Sequence, residues 1–184
     1  VAFSDDGVPV SDSRMMKNAL LYAATFGLTL IEHCEDKSLA EGGVVNEGEN
    51  ANLLGLPGIS NAAEDAEIAR NIVLSEVYGV PVHIAHVSTR GGMQLIREAK
   101  KRGVRVTCET CPHYIALTDA EIAGFNTAAK VNPPLRSKED RLAVIEAIAD
   151  GTVDCIVTDH APHSKEDKDG GMYDAPNGIS GLET

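Results

Sequence analysis

Apolar positions along the chain fall into short continuous runs separated by longer stretches of helical spacing, and the two kinds alternate from one end to the other. Residues 1–4 read as a strand. Asp12 or Ser13 can cap the helix that follows, in which Met15, Met16, Ala19, Leu20 and Ala23 recur at helical intervals until Gly27 stops it. Residues 28–33 form the next apolar strand. Asn61–Tyr78 is a helix with Ala66, Ala69, Ile72, Val73 and Val77 on one face, and residues 80–87 are a strand. A helix over 93–101 ends at Gly103, and the strand over 104–110 sets Val104, Val106 and Cys108 on one side. A shorter helix is predicted over 119–124. Ser137 caps a helix carrying Leu142, Ile145 and Ile148, Gly151 closes it, and residues 153–158 are the last strand. Residues 36–60 alone lack periodicity over a long stretch. With Gly42, Gly43, Gly48, Gly55, Pro57 and Gly58 they read as a long loop that serves a site or moves; the glycines permit movement of 46–59, and the sequence leaves open whether it closes over the site.

Apolar strands separated by helical crossovers imply a parallel sheet, because a right-handed crossover needs a helix to cover the sheet face. The fold class is therefore α/β. Five such strands make either an open doubly wound domain or a segment of an eight-stranded barrel, and spacing does not choose between them. A strand that starts at Val1, with no Met before it, reads as a cut through folded structure.

The polar residues at the strand ends carry more information. Asp5 and Asp6 follow the first strand, His33 the second, His86 the third and Asp159 the last. In a parallel barrel these ends open onto one face, so residues distant in sequence become neighbours around a single site. Neutral imidazole suits zinc and a carboxylate can bridge two ions, which makes the set a partial shell for one or two divalent metals. Taken singly, each has a plainer reading: a His at a strand end is commonly a hydrogen-bonded structural residue, and Asp before Gly, as in Asp6-Gly7, is commonly a turn residue. Four such residues in alternating order, with His160 and His163 close behind Asp159, favour the site.

Charge and cysteine usage narrow the setting. Sixteen Lys and Arg against 28 Asp and Glu leave a formal net charge of -12, which repels a phosphate backbone and argues against a nucleic-acid partner. No apolar run approaches the roughly 20 residues that span a bilayer, so no membrane partner is expected, and the acidic, helix-rich surface reads as cytoplasmic. Cys34, Cys108, Cys111 and Cys155 are expected to be reduced thiols. Cys108 and Cys111 form a CxxC with His113 close behind, but no second pair at finger-like spacing follows to complete a structural zinc site.

Several stretches also resemble a known family: Phe3-Ser4-Asp5-Asp6-Gly7, His33-Cys34-Glu35-Asp36, His86-Val87-Ser88-Thr89, Glu109-Thr110-Cys111-Pro112-His113-Tyr114, Asn132-Pro133-Pro134-Leu135-Arg136, Thr158-Asp159-His160-Ala161-Pro162-His163 and Gly178-Ile179-Ser180-Gly181-Leu182-Glu183-Thr184. Together they resemble the bacterial dihydroorotases of the amidohydrolase superfamily, in the class where an aspartate bridges the metals. The resemblance implies a TIM-type (β/α)8 barrel, residues 1–184 supplying strands four to eight, and two divalent metal ions, zinc foremost. It implies that Asp6, in preference to Asp5, bridges the metals, that His33 and His86 bind the second metal, and that Asp159 binds the first and shuttles the proton. It makes Asn132, His163, Asn177 and Gly178 substrate contacts; the family often has Phe where Asn177 stands. It further implies a small substrate, carbamoyl aspartate or dihydroorotate, and is compatible with a homodimer or with association with aspartate carbamoyltransferase.

The family's His-x-His pair on the first barrel strand, and the Arg that follows it, have no counterpart here. His83 and His86, three apart on a strand, point to opposite faces and cannot replace the pair. Strands one to three are therefore expected to lie outside this chain, and the 184 residues alone to have little or no activity. Three rivals remain: a hydantoinase or allantoinase, whose bridging position generally resembles lysine; a non-catalytic scaffold of the same family; and a self-contained open α/β domain.

Overall fold

The computed structural model describes residues 2–5 and 7–183; Val1, Asp6 and Thr184 lie outside the described residues, and with them the sequence-based expectation for Asp6. In chain order the elements are β1 (Phe3–Ser4), α1 (Ser13–Thr25), β2 (Leu30–Glu32), α2 (Lys37–Ala40), β3 (Val45–Asn46), α3 (Glu49–Leu54), β4 (Gly58–Ile59), α4 (Asn61–Tyr78), β5 (Val82–Ile84), α5 (Arg90–Lys101), β6 (Val106–Thr110), α6 (Pro112–Ala116), 3-10 turns at Asp119–Ile122 and Thr127–Ala129, α7 (Lys138–Ala149), β7 (Cys155–Ile156), α8 (Lys165–Lys168) and α9 (Gly171–Asp174). All five expected strands are present, each shorter than its apolar run. Helix starts follow the capping chemistry: Asp12 accepts from the Met15 amide, and Ser60, Thr89 and Ser137 cap α4, α5 and α7.

The main sheet runs β1-β2-β5-β6-β7 with every neighbouring pair parallel. Strand order follows chain order without reversal. A doubly wound sheet reverses direction at its switch point, so this arrangement is that of successive βα units of a TIM-type barrel, and the open-domain alternative falls. Val82, Ile84, Val106 and Cys108 project to the helix side and are buried there with Ile68, Met93, Ile96 and Val144. The opposite face carries His83, Thr107 and Glu109, by the alternation of the strand.

Three expectations need correction. Residues 36–60 are not a structureless loop: they contain α2, α3 and a second, two-stranded parallel sheet of β3 and β4. Buried Asn46 within it donates to Asp119 at 2.9 Å and accepts from Arg136 at 3.1 Å, and Ile59 O accepts from the same guanidinium at 3.1 Å. The face expected to bury α4 is largely its solvent face: Val73 and Val77 are 55% and 68% exposed, whereas Glu64, Glu67, Ile68, Asn71, Ile72 and Ser75 are buried. Pairing makes that possible, since Glu64 meets Arg136 and Glu67 meets Arg70. The short helix expected over 119–124 is a 3-10 turn. No helix among the described residues is long and apolar enough to cross a membrane.

Candidate metal-binding and catalytic cleft

A cleft of about 510 Å³ opens at the C-terminal ends of the main-sheet strands, where Asp5, His33, His86, Glu109, Asn132 and Asp159 line it together with Asn177. Of the residues named at the four strand ends, Asp5, His33, His86 and Asp159 converge there. His33 directly follows β2 and His86 lies two residues past β5; His33 Nδ1 and His86 Nε2 are 2.9 Å apart, and the rings meet edge to face. Burial, followed by the neighbouring His86, lowers the pKa of His33, so its ring is neutral near pH 7 with a lone pair to offer.

Backbone strain helps to aim these groups. His86 and Asp159 sit at φ of 37° and 43°, a left-handed region that costs a non-glycine residue of order 1–3 kcal/mol. For His86 the surrounding bonds enforce it. Glu64 accepts from the amides of Ser88 at 2.8 Å and Thr89 at 3.2 Å and from the Ser88 hydroxyl, and the buried Arg136 guanidinium bonds both Glu64 and Ser88. The turn after β5 is thus fixed from beneath, two residues beyond His86.

Asp5, the less favoured of the adjacent acids, contributes directly. Its Oδ1 accepts from the His33 amide at 2.9 Å, while burial raises the pKa of its carboxyl. Burial and then the charge of Asp5 push the wholly buried Glu32 carboxyl up to about 8. Sequence reasoning also gave no role to Cys111 and His113. Their donor atoms and that of Asp159 lie within 4.8 Å of one another, and burial brings the His113 imidazole down to about 4. The quoted motif contained all of them, but only the turn into α6 folds them toward Asp159.

The donor set fits divalent cations. Asp5 Oδ2, His86 Nδ1, His113 Nε2 and Asn132 Oδ1 are buried polar atoms without a protein partner, a costly state unless something binds them. Neutral imidazoles beside carboxylates are zinc's customary ligands.

The expected substrate contacts separate into two groups. Asn132 and Asn177 line the cleft. His163 is exposed and its Nε2 donates to Asn177 O at 2.9 Å, so it reaches the cleft through that loop. Gly178 is buried at φ 145°, its amide bonded to Lys130 O at 3.0 Å. A Cβ there would approach Ala161 O to 2.4 Å. Gly178→Ala is therefore expected to displace the loop carrying Asn177 and raise KM about tenfold with a smaller change in kcat, measured by steady-state kinetics of the full-length protein.

Comparison with known proteins places the chain. Residues 1–92 match the family model described as dihydro-orotase-like. Proteins named dihydroorotase from Acetivibrio thermocellus, Syntrophus aciditrophicus and Pelotomaculum thermopropionicum are 57%, 56% and 56% identical over all 184 residues. The chain spans 43% of the length of each, less than half. Among solved structures, the L-hydantoinase (dihydropyrimidinase) of Arthrobacter aurescens superposes with a TM-score of 0.80 at 28% identity, covering 100% of this chain and 42% of that one. The D-hydantoinase of Bacillus sp. AR9 gives 0.78 at 26% identity, covering 100% and 42%.

Proposed function

This chain belongs to the dihydro-orotase-like family, and from that premise we propose that it forms the later part of the barrel of a dihydroorotase, which interconverts N-carbamoyl-L-aspartate and L-dihydroorotate. The observation that carries the reading is the convergence of His33, His86, Asn132 and Asp159 on one cleft with buried donor atoms left unpartnered. In this reading Asp6, His33, His86 and Asp159 hold two divalent cations, zinc foremost. When bound, such cations acidify a water and polarise the amide carbonyl of the substrate.

The chain's own residues then have distinct tasks. Asp159 takes the proton of the attacking water and delivers it to the ring nitrogen that leaves; in the biosynthetic direction the transfers reverse. Asn132 and Asn177 orient the substrate from the cleft wall, the Gly178 backbone supports that loop, and His163 donates toward a substrate carboxylate. No covalent enzyme intermediate is needed. The same reading makes the protein cytoplasmic, acting on a small molecule, and either a homodimer or a partner of aspartate carbamoyltransferase.

The full-length protein tests this. Purified and assayed for metal, it is expected to hold about two divalent ions per chain in the cleft and to hydrolyse dihydroorotate in preference to hydantoins and allantoin. Opening of hydantoins with dihydroorotate untouched would replace the substrate assignment; a metal-free, inactive protein would support the scaffold alternative.

A further inference from the structure

The strand register assembles a second cluster of donor groups, which the proposed reaction does not use. His83 pairs with Thr107 across β5 and β6, and Glu109, two residues further along β6, pairs with Cys155 on β7. Residues two apart on a strand share a face, so His83, Glu109 and Cys155 form a diagonal row over three adjacent strands on the face away from the helices. Their side chains meet: His83 Nε2 lies 2.9 Å from Glu109 Oε2, and Cys155 Sγ lies 3.9 Å from the same oxygen. The three donor atoms all fall within 4.8 Å of one another. We propose that His83, Glu109 and Cys155 form a further divalent-cation site of the zinc class, separate from the His33, His86 and Asp159 set.

Geometry and chemistry both support this. Ordinary zinc bond lengths place ligand atoms roughly 3.4 Å apart for nitrogen and oxygen and roughly 3.6 Å for sulfur and oxygen around a tetrahedral ion. The present spacings differ from those values by a few tenths of an ångström to about half an ångström, within reach of side-chain rotation. His83 Nδ1 bonds Thr107 Oγ1 at 2.8 Å, which fixes the ring and presents Nε2 to the site, the usual arrangement around a metal-bound histidine. A thiolate beside an imidazole selects zinc or cobalt over magnesium or calcium. On binding, the Cys155 thiol releases its proton to solvent, His83 carries its one ring proton on Nδ1 and donates it to Thr107 Oγ1, and the Nε2 lone pair, the Glu109 carboxylate and the Cys155 thiolate hold the cation with water in the fourth position. Because Glu109 also lines the cleft, a cation held there adds positive charge at the cleft floor.

Cobalt substitution of the full-length protein provides the test. Stripped of metal and reloaded with Co²⁺, it is expected to show a near-ultraviolet thiolate-to-cobalt charge-transfer band, which donors of only His and Asp cannot produce. The band should disappear in Cys155→Ser and persist in Cys34→Ser and Cys111→Ser. Bound cobalt should fall by about one equivalent per chain in Cys155→Ser and in His83→Gln, the latter keeping every thiol intact if the former misfolds. Absence of the band at full loading, its survival in Cys155→Ser, or unchanged stoichiometry in His83→Gln would overturn the site. None of these readings depends on turnover of dihydroorotate, so the proposed reaction and the further site stand or fall separately.

Discussion

Asp159→Ala in the full-length protein is expected to lower kcat by more than roughly a thousandfold, for dihydroorotate hydrolysis and for the reverse cyclisation alike. The residue stands at the end of β7 with a strained backbone and lines the cleft shared by His33 and His86. In the proposed reaction it both binds a cation and moves the proton, and alanine removes both capacities. Asp159→Asn separates them: the amide oxygen can still ligate but cannot accept the proton, so kcat should fall comparably while bound metal is largely kept. Steady-state kinetics paired with metal analysis reads the two variants. Retention of more than about a tenth of wild-type kcat in Asp159→Asn would remove the proton-transfer role.

The second large effect concerns folding. Glu64→Ala is expected to destabilise the full-length protein by about 3–5 kcal/mol, because it strands the Arg136 guanidinium without a counter-charge. The Arg136 and Glu64 side chains are 3% and 4% exposed, and their nearest contact is 3.2 Å. The same carboxylate accepts from the amides of Ser88 and Thr89, so its loss also frees the turn that aims His86. A paired replacement, Glu64→Leu with Arg136→Met, should recover much of that stability, since removing both charges leaves neither buried alone. Denaturant midpoints of the single and double variants decide the matter. Equal losses in both would mean that the hydrogen bonds to the β5–α5 turn, rather than the ion pair, set the cost.

Much of this site was legible before the structure. The caps at Asp12 and Ser137 lie next to the residues whose amides they satisfy, and apolar runs mark strands without reference to distant residues, whereas Thr89 starts α5 three residues ahead of the expected helix. The positions of His33, His86 and Asp159 at strand ends followed from the same local pattern, and parallel topology did the rest. The buried face of α4 was misread because its carboxylates are partnered by residues far along the chain, Glu64 with Arg136 across 72 positions. The small sheet inside 36–60 was equally hidden: two strands of two residues carry no periodicity, and Asn46 is held by Asp119, 73 positions away.

The sequence by itself determined the alternation of strands and helices, where α1, α4 and α7 begin, and which strand ends carry imidazole and carboxylate, since each depends on neighbours within a turn or a pleat. Tertiary structure alone decided that strand order runs without reversal, that Asp5 turns its carboxylate into the cleft, and that His83, Glu109 and Cys155 meet. Those outcomes depend on register between strands and on charges paired across the fold, and a shift of one residue in register would send the same side chains to the opposite face.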